Sequence, residues 1–248
     1  MLAYITRRLL ILPILIIGVT ILVFALLSLL TPYERVALYV QDIPKRQGGI
    51  DELIVKYGLD DPIPVQYWRW MVGQRDPDTG EVEGGILRGD LGFSQVGRSA
   101  VAEVVARRLP ATAELALWSA VPMIGIGIWL GVLSAIHHNK LLDQVLRVFS
   151  ITGWSIPTFV FGLLMLMLFY ARLGWFAPDR LSDWASRIVQ SDAFRRYTQI
   201  NTLDALLNLR LDIFFDALRH LVLPVTTLAY LNWAYMLRVT RSSMLDTL

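Results

Sequence analysis

The chain of 248 residues contains no cysteine. Disulfide bonds, thiolate metal sites and cysteine nucleophiles are therefore excluded, although this absence assigns no redox compartment. The chain also has almost no net charge, because 23 basic and 21 acidic residues leave a formal charge of +2. So small a charge gives no indication of nucleic-acid binding.

The common catalytic motifs are missing as well. No GxxxxGK[ST] loop occurs that could hold nucleotide phosphates, and neither HExxH nor GxSxG is present. His137 and His138 are adjacent, and neighbours on a helix point about 100° apart, which makes a poor chelate. We therefore predict no catalytic, cofactor-binding or metal-binding residue and interpret the chain as a non-enzyme.

Long apolar runs are what the sequence does contain. Hydrophobic residues make up 55% of the chain. Two runs, residues 111–136 and 148–171, are each long enough, at about 1.5 Å per residue, to cross about 30 Å of hydrocarbon. Because a segment in lipid must satisfy its own backbone polar groups, these runs and the polar connector 137–147 predict a helical hairpin.

Two further spans flank this hairpin. Residues 9–30 follow Arg7 and Arg8, exceed the roughly 7 to 15 residues of a signal-peptide core and lack a small-x-small cleavage site, so we interpret them as a retained helix. A shorter span is predicted at residues 221–238. The sequence thus predicts an all-α membrane protein, a polytopic helical bundle with four spans.

The predicted organisation has three regions. Residues 1–32 form an N-terminal transmembrane helix, and residues 33–108 form an extracytoplasmic loop region. Residues 109–248 form the membrane core, with spans at about 111–136, 148–171 and 221–238 and an outer loop at 172–220.

Arg7 and Arg8 place the N-terminus in the cytoplasm. On this topology two marker positions, Ser94 and Asp192, lie outside, and two others, Lys140 and Ser242, lie inside. The connector 137–147 carries few firm positive charges, so the orientation rests on the first helix.

The region before the second span contains a predicted surface helix and a predicted insertion. An apolar stripe over residues 99–109, with Ser99 as a possible N-cap, predicts a short surface helix that Pro110 breaks. Glu114 follows at the outer end of the span, where we expect it to meet Arg107 or Arg108. Residues 74–85 are interpreted as a turn-rich insertion.

Six sequence blocks occur in order along almost the whole chain. They are YGLDDPIPVQYWRWM (57–71), GDLGFS (89–94), RRLPATAELA (107–116), SIPTFVFG (155–162), LPVTTLA (223–229) and RVTRSSMLDTL (238–248). Together these blocks resemble the permease subunits of binding-protein-dependent ABC transporters of the dipeptide, oligopeptide and nickel type.

The resemblance implies a six-helix subunit of the prokaryotic inner membrane, in contact with membrane lipid. Its implied partners are a second homologous permease, two cytoplasmic ATPase subunits that hold ATP and magnesium, and an extracytoplasmic substrate-binding protein. The family's cytoplasmic EAA loop and last two helices would follow Leu248. We therefore expect that the 248-residue chain alone does not recruit an ATPase.

Four residues are candidates for helix movement and packing. Pro122 and Pro157 each lie within a predicted span and are candidate hinges, with static bends as the alternative. Gly127 and Gly131 have the small-xxx-small spacing that lets two helix backbones approach closely, so we predict a packing seam there.

Four more residues are candidates for contacts. Tyr230 and Trp233 share a helix face and either line the solute path or pack against neighbouring helices. Arg238 and Arg241 also share a face, and they either meet the ATPase side of the assembly or bind anionic head groups.

The favoured function is a permease subunit that forms half of the path for peptides or similar small solutes. The alternative is a membrane anchor or sensor with ligand-binding outer loops and no transport path. An intramembrane enzyme ranks last, because the spans contain no convergent set of ionisable residues. Dipeptides, longer peptides, nickel chelates and sugars stay open as substrates.

Overall fold

The computed structural model describes residues 2–36, 39–40, 47–75, 80 and 82–246. Helices dominate these residues. In chain order they are α1 (Leu2–Leu27), α2 (Pro32–Val36), α3 (Gln47–Tyr57), α4 (Ile63–Val72), α5 (Val101–Ile136), α6 (Leu141–Ser155), α7 (Thr158–Met165), α8 (Asp183–Val189), α9 (Asn201–Leu207) and α10 (Leu211–Leu245). The predicted all-α class is confirmed.

Short irregular elements complete the described chain. A 3-10 helix covers Ile86–Arg88, and a π-helix, Leu166–Arg172, continues α7. Four strands of two residues form two antiparallel hairpins: β1 (Gln74–Arg75) with β2 (Val82–Glu83), and β3 (Phe93–Ser94) with β4 (Ser99–Ala100). The first hairpin lies in the predicted insertion, of which residues 76–79 and 81 lie outside the described residues.

Three helices of the described chain are long and apolar enough to cross a membrane, within Thr6–Leu27, Val101–Ile136 and Leu211–Tyr230. The remaining predicted span differs from its expected form. Instead of one helix over 148–171, the structure has Leu141–Gly153 and Thr158–Arg172 bent by 103°. Pro157 precedes α7 and lacks the N–H that would continue the ladder, which explains why α6 ends here.

The chain divides into two compact units, Met1–Arg107 and Arg108–Leu248. In the first unit, α4 packs on the last turns of α1. The ring centroid of Phe24 lies 5.4 Å from that of Tyr67 and 5.5 Å from that of Trp70. The Thr20 and Tyr67 hydroxyls are 2.9 Å apart, so a hydrogen bond fixes the same contact.

The first unit also has a small apolar core. It consists of Val36, Ile54 and Leu59, from α2, α3 and the following turn. The turn requires glycine at Gly58, where φ is +59° and the Arg69 guanidinium occupies the space a Cβ would need. At the start of α2, the Thr31 N–H donates to Glu34 over 2.8 Å and lowers the pKa of that carboxyl.

In the second unit, α10 is the central helix and packs against α6, α7 and α9. The predicted outer loop, 172–220, folds into α8 and α9 with the first turns of α10. This helical part has its own apolar core, whose residues are Leu181, Ala185, Val189, Phe194, Ala205, Ile213 and Ala217.

Two carboxylates, Asp216 and the buried Asp204, accept backbone N–H groups at the starts of these short helices. Ser182 precedes α8 and donates its N–H to Asp216 over 2.8 Å. Asp204, in the first turn of α9, accepts the Thr198 and Gln199 N–H groups over 2.8 and 2.9 Å. Backbone N–H groups just before each helix, which have no partner within the helix, thereby gain an acceptor.

The predicted break at Pro110 is wrong. Helix α5 begins at Val101 and continues through both Pro110 and Pro122 to Ile136. A proline removes one intrahelical hydrogen bond, but the flanking residues are mostly good helix formers such as alanine, leucine and glutamate. The surface helix predicted over 99–109 is therefore the beginning of α5.

Candidate functional site

The second unit places the glycine pair of α5 directly against α10. A Cβ added at Gly127 would lie 2.5 Å from the Met236 Cβ, and one added at Gly131 would lie 2.6 Å from the Thr240 Cβ. Real Cβ atoms do not approach so closely, so only glycine lets these two backbones meet without a shift.

The same seam connects Pro122 with Trp233. The Trp233 indole Nε1–H donates to the Pro122 carbonyl oxygen over 2.7 Å. This bond links a candidate hinge with a candidate path residue, a pairing that sequence reasoning did not foresee. It also gives the partly buried indole the acceptor it needs.

Four rings form an aromatic cluster, which consists of Phe149, Phe161, Tyr230 and Trp233. Phe161 stacks on Tyr230 with centroids 4.4 Å apart, and Phe149 meets Tyr230 edge to face at 5.2 Å. Tyr230 is buried between these rings. The two phenylalanines come from α7 and α6, so the break before Pro157 is what brings both onto one ring.

A buried carboxylate ties three helices together. Asp143, in the first turn of α6, is completely buried. It receives the Ser134 hydroxyl from α5 over 2.5 Å and the Asn139 N–H over 3.1 Å. Arg241 of α10 donates its Nε and Nη2 to the two carboxylate oxygens over 2.7 and 2.9 Å. We call these four residues the Asp143 cluster.

This geometry gives Arg241 a partner inside the chain. Its side chain is 19% exposed, whereas Arg147, which also approaches Asp143 at 3.4 Å, is 46% exposed. Arg238 is exposed. Sequence reasoning selected Arg241 but missed Asp143, whose one available signal was an acidic residue in the first turn of a helix.

Glu114 forms a second buried anchor. It is 2% exposed and accepts the Arg180 Nη2–H and the Thr202 backbone N–H, each over 2.7 Å. The Thr202 hydroxyl in turn accepts the Trp118 indole N–H over 3.1 Å. The start of α9 is thereby fixed to α5.

The predicted partners of Glu114 are wrong. Arg107 instead lies 3.6 Å from Glu103, one helical turn before it, and donates to Ser99 over 3.2 Å. The predicted pairing assumed that the acid would meet a base close to it in the sequence. The structure supplies Arg180 from a distant segment, because residues 172–220 fold into helices with their own core.

Comparison with known proteins places this arrangement in a family. Residues 127–248 match the binding-protein-dependent transport system inner membrane component, and residues 1–116 match the N-terminal part of the membrane component of such systems. AppB, an oligopeptide transport system permease protein of Bacillus subtilis (strain 168), is 33% identical over 100% of this chain and 67% of its own length. The chain belongs to this family.

Two further relatives are also named as permeases of peptide transport systems. DppB, a di/tripeptide transport system permease protein of Pseudomonas aeruginosa (strain UCBPP-PA14), is 32% identical, with 100% of this chain and 68% of the relative covered. DdpB of Escherichia coli (strain K12), a probable D,D-dipeptide transport system permease protein, is 35% identical over 93% of this chain and 62% of the relative. The chain thus spans about two thirds of these relatives' length.

Membership in the binding-protein-dependent family confirms the predicted resemblance and the predicted helical permease fold. It also confirms a multi-pass protein of the inner membrane. The anchor or sensor alternative is not favoured. The roles predicted for the individual prolines, glycines, aromatic residues and arginines stay predictions.

Proposed function

We propose that this chain is the permease subunit of an ATP-driven importer and forms half of a path for peptides or similar small solutes. The observation that carries this proposal is its similarity, along 93 to 100% of its length, to proteins named as peptide permeases of three bacteria. Identities of 32 to 35% over such lengths leave the rival anchor or sensor without comparable support.

The proposed assembly contains a second homologous permease, two cytoplasmic ATPase subunits and an extracytoplasmic substrate-binding protein. ATP and magnesium belong on the ATPase subunits, since this chain has no phosphate-binding loop. The N-terminus lies in the cytoplasm beside Arg7 and Arg8. Arg238 is our candidate for the ATPase side, and Arg241 supports the same end of α10 through Asp143.

Alternating access requires groups of helices that move as bodies around a path. The α5–α10 seam and the Asp143 cluster support one such body, composed of α5, the start of α6 and α10. The break before Pro157 separates α7 from it and is the proposed hinge, with Pro122 as the second candidate. Tyr230 and Trp233 are the proposed path residues, since they lie where α7 meets this body.

The proposal is tested by isolating the protein from its native membrane with a tag on the encoded gene. Mass spectrometry of the purified complex should find a second permease and ATPase subunits. A strain lacking the gene should lose uptake of labelled di- and tripeptides and regain it on complementation. A complex without any ATPase, together with unchanged uptake of peptides, nickel chelates and sugars, would support the anchor or sensor instead.

A further inference from the structure

Helix α4 of the first unit has its polar and apolar sides reversed. Its amide and its charge face the protein, since Gln66 is buried and Arg69 is partly buried. The exposed residues of α4 are all apolar, and Trp68 has 66% of its surface exposed. They are Ile63, Pro64, Val65 and Trp68. A helix at the surface of a protein in water shows the opposite arrangement.

The amide and the guanidinium of α4 have their partners within the first unit. The Gln66 side-chain N–H donates to the Leu59 carbonyl oxygen over 2.9 Å, and the Gln66 oxygen accepts the Arg35 Nη1–H over 2.5 Å. The Arg69 guanidinium pairs with the Asp61 carboxylate. Because these groups do not depend on water, the reversed orientation leaves neither of them unpaired.

The ends of α4 reduce its need for water as well. Near its start, Pro64 has no backbone N–H that would require an acceptor. Near its end, the Arg69 carbonyl oxygen accepts the Gly73 N–H over 2.7 Å. The Val72 carbonyl oxygen accepts the Arg88 Nε–H over 3.0 Å. Lipid, which offers no hydrogen bonds in its acyl region, can therefore cover the outer side of this helix.

Helix α4 is attached to α1 inside the apolar span. Tyr67 of α4 shares a hydrogen bond with Thr20 and packs against the ring of Phe24. Both partners belong to the Thr6–Leu27 span, whose mean hydropathy is 3.1. At 1.5 Å per residue, Thr20 and Phe24 lie about 10 and about 5 Å before the end of the span at Leu27. This is the depth, about 5 to 10 Å, at which interfacial helices lie between head groups and acyl chains.

We propose that α4 is an interfacial helix, which lies in the membrane surface at the end of α1 and turns Trp68 and Val65 toward the lipid. Lipid is favoured over a protein partner because the adjoining helix α1 is itself open to lipid, with Leu22 and Leu26 exposed. Tryptophan is also enriched at this level of the membrane. This lipid-binding surface belongs to the first unit and is separate from the transport role proposed for the helices of the second.

Spin labelling tests this placement, because the chain has no cysteine of its own. The variant Trp68→Cys is isolated from its native membrane with any subunits that accompany it, given a nitroxide label and placed in vesicles of phosphatidylethanolamine and phosphatidylglycerol. Electron paramagnetic resonance then compares collisions of the label with oxygen, which enters lipid, and with a water-soluble nickel chelate. We expect the label to lie about 5 to 10 Å below the lipid phosphates. Protein with the unchanged chain gives the background from accompanying subunits.

Two control variants calibrate the measurement. Glu52→Cys, at an exposed position of α3, should meet mainly the nickel chelate, and Leu22→Cys on α1 should meet mainly oxygen. Val65→Cys, on the same side of α4, repeats the test if Trp68→Cys fails to fold. A label on α4 that meets the nickel chelate as freely as the one at Glu52→Cys would place the helix in water and overturn the proposal. Shielding from both reagents would also overturn it, since a protein partner would then cover this side.

Discussion

At the scale of single residues, the Asp143 carboxylate is completely buried in the second unit. A fully buried carboxylate must recover in hydrogen bonds what it loses in hydration. Asp143 does so with donors from α5, the connector and α10, and the Arg241 fork matches both of its oxygens. Lysine, a single point of charge, would not reproduce that geometry.

Asp143→Asn should therefore destabilise the protein strongly. The variant keeps the shape but removes the charge that Arg241 faces, and we expect a loss of about 3 kcal/mol in the free energy of unfolding. The measurement is unfolding of the purified chain in detergent micelles. Arg147→Gln is the matched control and should cost under about 1 kcal/mol, because Arg147 is 46% exposed. Equal losses in the two variants would contradict a special role for the Asp143–Arg241 pair.

Sequence reasoning could find one half of this pair. Arg241 could be selected because it is a charged residue at the end of an apolar run. Asp143 could not, because it is one of several polar residues in a connector 98 residues away. Which acid meets which base depends on how three helices pack. Glu114 illustrates the same point, since its predicted partner lay nearby in the sequence and its actual partner, Arg180, is 66 residues distant.

At the scale of helices, the contact between α5 and α10 depends on two positions without side chains. Gly127 and Gly131 face α10 one turn apart, while Gly125 has nothing within 4 Å of where a Cβ would stand. On the same helix, an added methyl group should therefore disturb the packing at Gly131 and leave it unchanged at Gly125.

Gly131→Ala should separate the two helices and destabilise the protein by about 1 to 3 kcal/mol, as expected for overpacking. Gly125→Ala should be neutral or stabilising by up to about 1 kcal/mol, because alanine favours a helix over glycine. Thermal unfolding of both variants in one detergent measures the difference. If Gly125→Ala were as harmful as Gly131→Ala, helix flexibility rather than close packing would explain the glycines.

The helices themselves were predictable to different degrees. Apolar length alone indicated the spans of α1 and α5, since hydrocarbon sets a minimum length that few soluble helices reach. The span of α10 was predicted at 221–238, whereas the part of α10 that is long and apolar enough to cross a membrane is Leu211–Tyr230, which begins within the predicted outer loop. The continuation through Pro110 and the 103° bend before Pro157 were not predictable. A proline permits a break, but packing against the neighbouring helices decides whether one forms.

At the scale of the whole molecule, the proposed topology gives each connecting segment a side of the membrane. Because the chain has no cysteine of its own, single-cysteine labelling can test every segment without background. We expect a membrane-impermeant maleimide to label Ser94→Cys and Asp192→Cys on intact cells. Lys140→Cys and Ser242→Cys should react only after permeabilisation, since the proposed topology puts the N-terminus, with Arg7 and Arg8, inside.

Asp192, predicted outside, and Lys140, predicted inside, are both exposed, so their labelling on intact cells can be compared directly. Labelling of Lys140→Cys on intact cells would reverse the orientation. Labelling of Asp192→Cys only after permeabilisation would instead show that 148–171 does not cross the membrane as one bent span. Complete denaturation before labelling controls for sites that are folded away from the reagent.

The exposure of α1 determines which substitutions this helix can accumulate during evolution. Only 6% of its most apolar window is buried within the chain, against 28% in the corresponding windows of the α5 and α10 spans. A surface that faces hydrocarbon accepts any apolar residue of roughly suitable bulk, whereas Gly131 accepts no replacement without a shift of its neighbours. Saturation mutagenesis should therefore show that most positions of α1 tolerate leucine, isoleucine, valine and phenylalanine alike, whereas Gly131 of α5 tolerates glycine alone.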